Sequence, residues 1–292
     1  MSQGPATSRR RLGAELRRLR DEAGLTLEQA AATLECSTSK ISRLETGKGL
    51  PRQRDIRDLL RLYGKEAQRS LDRLLMLARQ GAKAGWWQEY TSLLPSEPFV
   101  FDGTDRYVAL ESEADWLTSY DVQAVHGLVQ SAEYADRVIR AALPHHSDSE
   151  LRSLLEFRLR RQEVLTRPVA PLRLSLVMDE FAFRRHLGDA GVMRRESLHL
   201  LDLGRRTNVS MRLLPFDAGL SRSTAGGQFA VIGFDDWDDQ DVVFIEGAAN
   251  SFLADDFGVE TFKQMFADMG EQALSEAETA LWLERYADDV AR

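Results

Sequence analysis

Thr26–Gly47, TLEQAAATLECSTSKISRLETG, constrains this chain more than any other stretch, because it reads as two short helices joined by a tight turn. Thr26 stands as an N-cap with Gln29 three positions on, a capping-box spacing that satisfies otherwise orphan amides. Ala30, Ala31 and Leu34 recur at helical spacing, which suits a short helix packed close to its neighbours. Ser37 can cap the next helix, where Ile41 and Leu44 face inward while Thr38, Ser39, Lys40 and Arg43 stay free. Two alanine-faced helices crossing at such a turn make a helix-turn-helix, whose second helix enters the DNA major groove. A generic helical bundle with a basic solvated face is the alternative. The turn, the cap, the inward residues and the ETGK ending all agree against it.

Charge distribution points the same way. The chain carries a net charge of −8, which looks wrong for a DNA binder until it is divided. Residues 1–84 hold 18 Lys+Arg against 10 Asp+Glu, a balance of +8, and residues 85–292 hold 20 against 36, a balance of −16. Such asymmetry marks a nucleic-acid-binding segment. The acidic remainder limits non-specific adhesion to DNA; it can attract a basic protein or simply keep the chain soluble.

At 292 residues the chain is long enough for two domains. Its single cysteine, Cys36, permits no internal disulfide and suits a reducing compartment. There is no charged-then-apolar leader and no apolar run of about 18 residues. These features predict a soluble cytoplasmic protein, nucleoid-associated if it binds DNA, with no membrane contact.

The expected fold is an N-terminal all-α helix-turn-helix bundle followed by a C-terminal α+β (or α/β) domain with a small sheet. Residues 1–8, small and polar, are expected to form a disordered arm, with the DNA-binding domain at 9–80, a GAKAG hinge at 81–85 and a sensing domain at 86–292. The first helix is placed at about Arg9–Ala23, with Leu12, Leu16 and Leu19 inward and Arg9, Arg10, Arg17 and Arg18 exposed; Gly24 closes it. A helix after Pro51 runs through about Tyr63, burying Ile56, Leu59, Leu60 and Leu62. Another at about 66–80 has Leu71, Leu74, Leu75 and Leu77 on one face; it can complete the bundle, link domains or form a dimer seam. Trp86, Trp87 and Tyr90 read as packing residues. Beyond them, helices are expected at 131–142, 148–166, 190–206, 258–273 and 276–290. Strands are expected at 172–178, 209–216, 227–234 and 241–247, the last two forming a hairpin whose tip is DDWDDQD.

Residues 9–63 resemble the Cro/phage-repressor (XRE-type) class of helix-turn-helix domain. The resemblance rests on RRLGAELRRLRDEAGLT, EQAAATL, STSKISRLETGK and RQRDIRDLLRLYG. It implies base-edge contacts by Thr38, Ser39 and Arg43, with Lys40 near the groove wall, and a structural pair between Arg20 and Glu45. Two positions depart from the class. Glu35 stands where phage repressors usually have the turn glycine, and Leu27 stands where glutamine often makes a phosphate contact. Arg17, Ser37, Lys40, Lys48, Arg52 and Arg54 are the candidates for groove or phosphate contacts, which position without specifying.

The second half resembles the antitoxin-like domain of actinobacterial WhiJ-related regulators, on GWWQEY, YVALESEADWL, HGLVQSAEYADRVIRA, FRLRRQEVLTRP, LVMDEFAFRRHLG, NVSMRLLPFDAG and GQFAVIGF in that order. The resemblance implies transcriptional regulation and pairing with a small protein encoded nearby. His126 replaces the proline common in relatives, which is expected to loosen a turn.

No chemistry of an enzyme stands out. His126, His145, His146, His186 and His199 lack metal-ligand spacing, and HExxH, CxxC, GxSxG and phosphate-loop motifs are missing. The aspartates of 235–241 lack the glycine and glutamate of a calcium loop. No catalytic residue, metal or cofactor is expected. Glu180 and Glu246 each end a strand-like run, where carboxylates can meet in a cleft; they read as ligand-binding or structural groups ahead of acid–base work. Arg158, Arg161 and Gln162 share one helix face, open either to surface ion pairs or, with Glu180, to an anionic small-molecule ligand such as a nucleotide. The sequence thus predicts a DNA-binding regulator, a homodimer on double-stranded DNA, with an antitoxin-like interaction module as the alternative and a DNA-tethered enzyme behind it.

Overall fold

The computed structural model describes residues 5–65, 68–83, 85–93, 105–185, 187–221, 223–235, 240–247 and 251–290. The chain forms two compact units that divide between Trp86 and Trp87.

The first unit is a bundle of α1 (Pro5–Glu22), α2 (Leu27–Thr33), α3 (Thr38–Glu45), α4 (Gln53–Leu62) and α5 (Gln68–Gly81). Helices as short as α2 and α3 are unstable in isolation and hold only through tertiary packing. That packing is one core of Leu12, Leu16 and Leu19 from α1, Ala30 and Ala31 from α2, Ile41 from α3, Ile56, Leu59 and Leu60 from α4, and Leu74, Leu75 and Leu77 from α5. Gly24, at φ +68°, ends α1, with the Leu25 amide donating to Arg20 O at 3.1 Å and the Gly24 amide to Asp21 O at 3.0 Å.

The expected disordered arm needs correction. Pro5–Ser8 is the first part of α1, and Ala6, Thr7 and Ser8 are buried; Met1–Gly4 lie outside the described residues. Proline is well suited to a first helical turn because its missing N–H has no partner there anyway. The small residues after it let α1 lie along α5, where Ser8 Oγ donates to Gln80 Oε1 at 3.3 Å. Arg9 and Arg10 are consequently half-buried instead of exposed, and α5 completes the bundle.

The second unit is built on a mixed six-stranded sheet in the order β3-β2-β1-β4-β5-β6. The strands are β1 (Trp116–Asp121), β2 (Arg173–Asp179), β3 (Val209–Leu214), β4 (Phe229–Gly233), β5 (Val242–Ile245) and β6 (Ser251–Leu253). β1, β2 and β3 run parallel, with Leu117 opposite Leu174 and Leu176 opposite Met211. From β1 outward the other way, β4, β5 and β6 are antiparallel, and Val231 faces Val243 across the expected hairpin. Residues 236–239 of its acidic tip lie outside the described residues.

Seven helices of the described residues surround this sheet: α6 (Asp105–Glu113), α7 (Ala132–Ala142), α8 (Asp148–Arg161), α9 (Phe181–Arg184), α10 (Ala190–Leu203), α11 (Asp256–Gln272) and α12 (Glu276–Asp289). Val259 and Met269 of α11 cover Tyr120, Val177, Phe229, Val231 and Val243 on one face. Phe244, pointing the other way, meets Tyr107 of α6 at 4.7 Å between ring centroids. Trp87 and Tyr90 are buried, and the Tyr90 ring lies 5.2 Å from that of Phe157.

Candidate nucleic-acid interface

Local chemistry forms the turn. Thr26 Oγ1 accepts from the Gln29 amide and the Gln29 side chain accepts from the Thr26 amide, closing the capping box at α2. At its far end the Cys36 amide donates to Ala31 O at 3.0 Å and the Glu35 amide to Ala32 O at 3.1 Å. These are the two bonds of a Schellman motif, whose penultimate residue must be left-handed. Glu35 takes that place at φ +49°, so a residue with a Cβ bears strain that glycine would not. Ser37 Oγ then accepts from the Lys40 amide and starts α3.

α3 buries Ile41 and Leu44 and leaves Thr38, Ser39, Lys40 and Arg43 exposed. α1 fixes its position at two points. At Gly13 the backbones approach so closely that a Cβ would stand 2.5 Å from Leu44 O and 2.6 Å from Glu45 O. About two turns further along α1, Arg20 donates to both carboxylate oxygens of Glu45, at 2.7 and 2.8 Å. It also donates to Leu25 O at 2.8 Å. Both side chains of the pair are buried, and the hydrogen bond to Glu45 drives the Arg20 pKa still higher, overcoming desolvation. The pair that the family resemblance implies is therefore present, and it is a brace.

Arg17 lies on the same α1 stripe as Gly13 and Arg20 and is exposed, 3.8 Å from Asp21. Lys48, Arg52 and Arg54 are exposed beyond α3, Arg54 within 3.4 Å of Asp58. Lys40 Nζ lies 3.5 Å from Asp55 Oδ2, and the same carboxylate accepts from the Arg52 amide at 3.3 Å. The sequence reading missed Gly13 and Asp55, both of which position groups on this face. Gly13 had a visible signal: a glycine inside a helix costs about 1 kcal/mol relative to alanine and calls for a reason.

The sensing face expected in the second unit has a different character. Arg158 and Arg161 are almost fully buried, and Arg161 donates to both oxygens of Glu111 at 2.9 and 2.8 Å. Arg158 Nη1 donates to Gln130 Oε1 at 2.9 Å. Gln162 Nε2 donates to Gly127 O and Gln130 O at 3.0 and 2.9 Å. This face is neither a surface of ion pairs nor a bed of free guanidinium groups for an anion; it ties α6 and α8 to the 127–130 turn. His126 does not loosen that turn: its Nδ1 accepts from the Leu128 amide at 3.3 Å, at a φ of −56° that proline also adopts.

Glu180 and Glu246 do not meet. Glu180 accepts from the Phe216 amide at 2.9 Å and pairs with Arg184, while Glu246 accepts from Gln228 Nε2. They follow β2 and β5, three strand spacings apart, or about 14 Å. That excludes a shared proton. Glu196 on α10 is fully buried, and burial pushes its carboxyl up to about 7. One oxygen accepts from the Ser131 amide at 2.9 Å.

Among the described residues no cluster of His, Cys, Asp and Glu is arranged to hold a metal ion, and no helix is long and apolar enough to cross a membrane. Compared with known proteins, residues 11–74 match the model of a helix-turn-helix domain. Neither a curated protein nor a solved structure matches the chain. A helix-turn-helix domain is a DNA-binding module, and its presence points to a DNA-binding regulator. Residues 104–285, more than half of the chain, match the model of a domain of unknown function, DUF5753, and the chain belongs to that family.

Proposed function

We propose that this chain is a sequence-specific transcriptional regulator of the cytoplasm, binding as a homodimer to a roughly palindromic operator, with a C-terminal domain that senses a small ligand or a partner protein. The observation that carries the reading is the exposure of Thr38, Ser39 and Arg43 on a helix clamped by Gly13 and the Arg20–Glu45 pair. A reading helix must hold its register against the duplex, and a backbone contact plus a buried bidentate pair supply that rigidity. Arg43 forks onto guanine O6 and N7, whereas Thr38 and Ser39 bond to several bases. Arg17, Ser37, Lys40, Lys48, Arg52 and Arg54 serve the backbone, so each affects affinity with little effect on sequence preference. Two recognition helices about 34 Å apart match half-sites one DNA turn apart.

The resemblance to WhiJ-related regulators supports a regulatory role and a small protein partner. Selection of an operator from random DNA, followed by titration of Arg43→Ala, tests the proposal. The expected loss is about 1–3 kcal/mol on the operator with relaxed preference at one base pair. An equal loss on operator and random DNA would remove Arg43 from base reading.

A further inference from the structure

α10, β3 and α12 line a half-open cavity of about 590 Å³ in the second unit, within the roughly 300–1,000 Å³ of small-molecule sites. Leu200, Leu283, Val209 and Met211 form its buried apolar wall. Asp202, Glu276 and Glu284 also line it, against a single cation, Arg205, which already stands 3.8 Å from Asp202. Glu276 has a local role, accepting from Ser210 Oγ in the first turn of α12. Glu284 has none of that kind: it is exposed, mid-helix, far from the end that favours acids. An apolar wall under an acidic rim selects against anions and favours a cation with an apolar body.

A second observation comes from the sheet edge. A parallel ladder uses alternate residues of a strand, and β2 takes the even-numbered ones of β3. The Leu174 amide donates to Asn208 O at 2.8 Å and the Glu180 amide to Leu214 O at 2.9 Å. Val209, Met211 and Leu213 therefore turn their backbone groups to the outer edge. Leu213 is satisfied there, its amide donating to Thr279 Oγ1 at 2.9 Å and its carbonyl accepting from Leu274 at 2.8 Å. The Val209 amide donates to Arg206 O at 3.3 Å. Between them Met211, which lines the cavity, has no hydrogen bond on either backbone group among the described residues. Solvent or a ligand must complete that pair.

We propose that this cavity is a binding site for a small amphipathic amine. Its apolar body lies on Leu200, Leu283 and Val209, its ammonium group faces Glu276 and Glu284, and the edge of Met211 fixes its orientation. The proposal rests on reading the C-terminal domain as the ligand-sensing one, and it reverses the sign of ligand that the arginine-rich face of α8 suggested.

The test uses the full-length protein with tryptamine, phenethylamine and octylamine, each titrated by calorimetry beside its alcohol and carboxylate counterpart. Saturable one-to-one binding is expected for at least one amine and for neither of its counterparts at equal strength. The double variant Glu276→Gln/Glu284→Gln should bind that amine about tenfold more weakly, the loss of a charge-assisted contact, with alcohol binding unchanged. Ala280→Phe, which fills the cavity, should abolish binding; if its thermal melt shows a fold defect, Leu201→Trp replaces it. Carboxylates binding as well as amines, no binding by any amine, or amine binding that survives the blocking variant would each overturn the proposal. Operator titrations on the same samples separate the two readings. Selective DNA binding that the amine leaves unaltered would uphold the cavity and end the sensing role. Failure of selective DNA binding would defeat the regulator reading while leaving the amine result standing.

Discussion

Gly13 carries no side chain where the carbonyl oxygen of Leu44 passes, and a methyl group there would lie 2.5 Å from that oxygen. The obstacle is backbone, which cannot rotate away as a side-chain tip can. Gly13→Ala should therefore destabilise the bundle by about 1–3 kcal/mol, the usual cost of overpacking, although alanine is the better helix former by about 1 kcal/mol. Urea melts and operator titration check it, with DNA affinity falling alongside stability as α3 shifts. A stabilised variant would show that the two helices can part freely.

Glu35 presents the opposite case. Its left-handed backbone at φ +49° costs a residue with a Cβ roughly 1 kcal/mol or more. Glu35→Gly should raise the unfolding free energy by about 1 kcal/mol and leave operator specificity unchanged, because the side chain is exposed on the turn. Thermal melts at one protein concentration decide the matter.

Asp55 holds Lys40 at 3.5 Å and keeps a carboxylate beside the reading helix. Replacing it with asparagine keeps a cap acceptor for Arg52 while releasing Lys40 toward phosphate. Asp55→Asn should tighten binding to random DNA by about two- to fivefold, the scale of a surface ion pair, with a steeper salt dependence. Unchanged affinity at low salt would place Lys40 away from the duplex.

Stability should depend on pH through Glu196. Its folded carboxyl is held up at about 7 by burial against an ordinary value of 4.5. Between those values the unfolded chain loses this proton first, so the folded state binds more protons and stability falls as pH rises. The contribution is fully present below about pH 4.5 and gone above about pH 7, on the order of 3 kcal/mol in all. Glu196→Gln should flatten denaturation midpoints measured from pH 5 to 7. A slope that persists in the variant belongs to another group.

The helix-turn-helix was legible because its determinants are local: Thr26 with Gln29, Ser37 with Lys40, and apolar residues three and four apart all lie within one or two helical turns. The centre of the second sheet was not. β1, with its polar Thr118, Ser119 and Asp121, was not among the expected strands, yet Ser119 Oγ donates to Phe229 O at 3.1 Å and Tyr120 OH to Asp179 Oδ2 at 2.9 Å. Those partners lie far away in the chain, where periodicity has no view. The same limit explains α8. Spacing placed Arg158, Arg161 and Gln162 on one face, but only the fold brings Glu111, fifty residues earlier, against Arg161 and makes that face an interior one.

The position of β1 also governs when the molecule can be completed during synthesis. Every contact of the α1–α5 core lies within Leu12–Ala78. The sheet, by contrast, needs β1 to find β2 and then β4, whose Gly233 pairs with Trp116. At about 5–20 residues per second, translating the roughly 110 residues between β1 and β4 takes on the order of ten seconds. For that interval a nascent chain can present a finished reading helix while the strand that will anchor the second unit still waits for its partners.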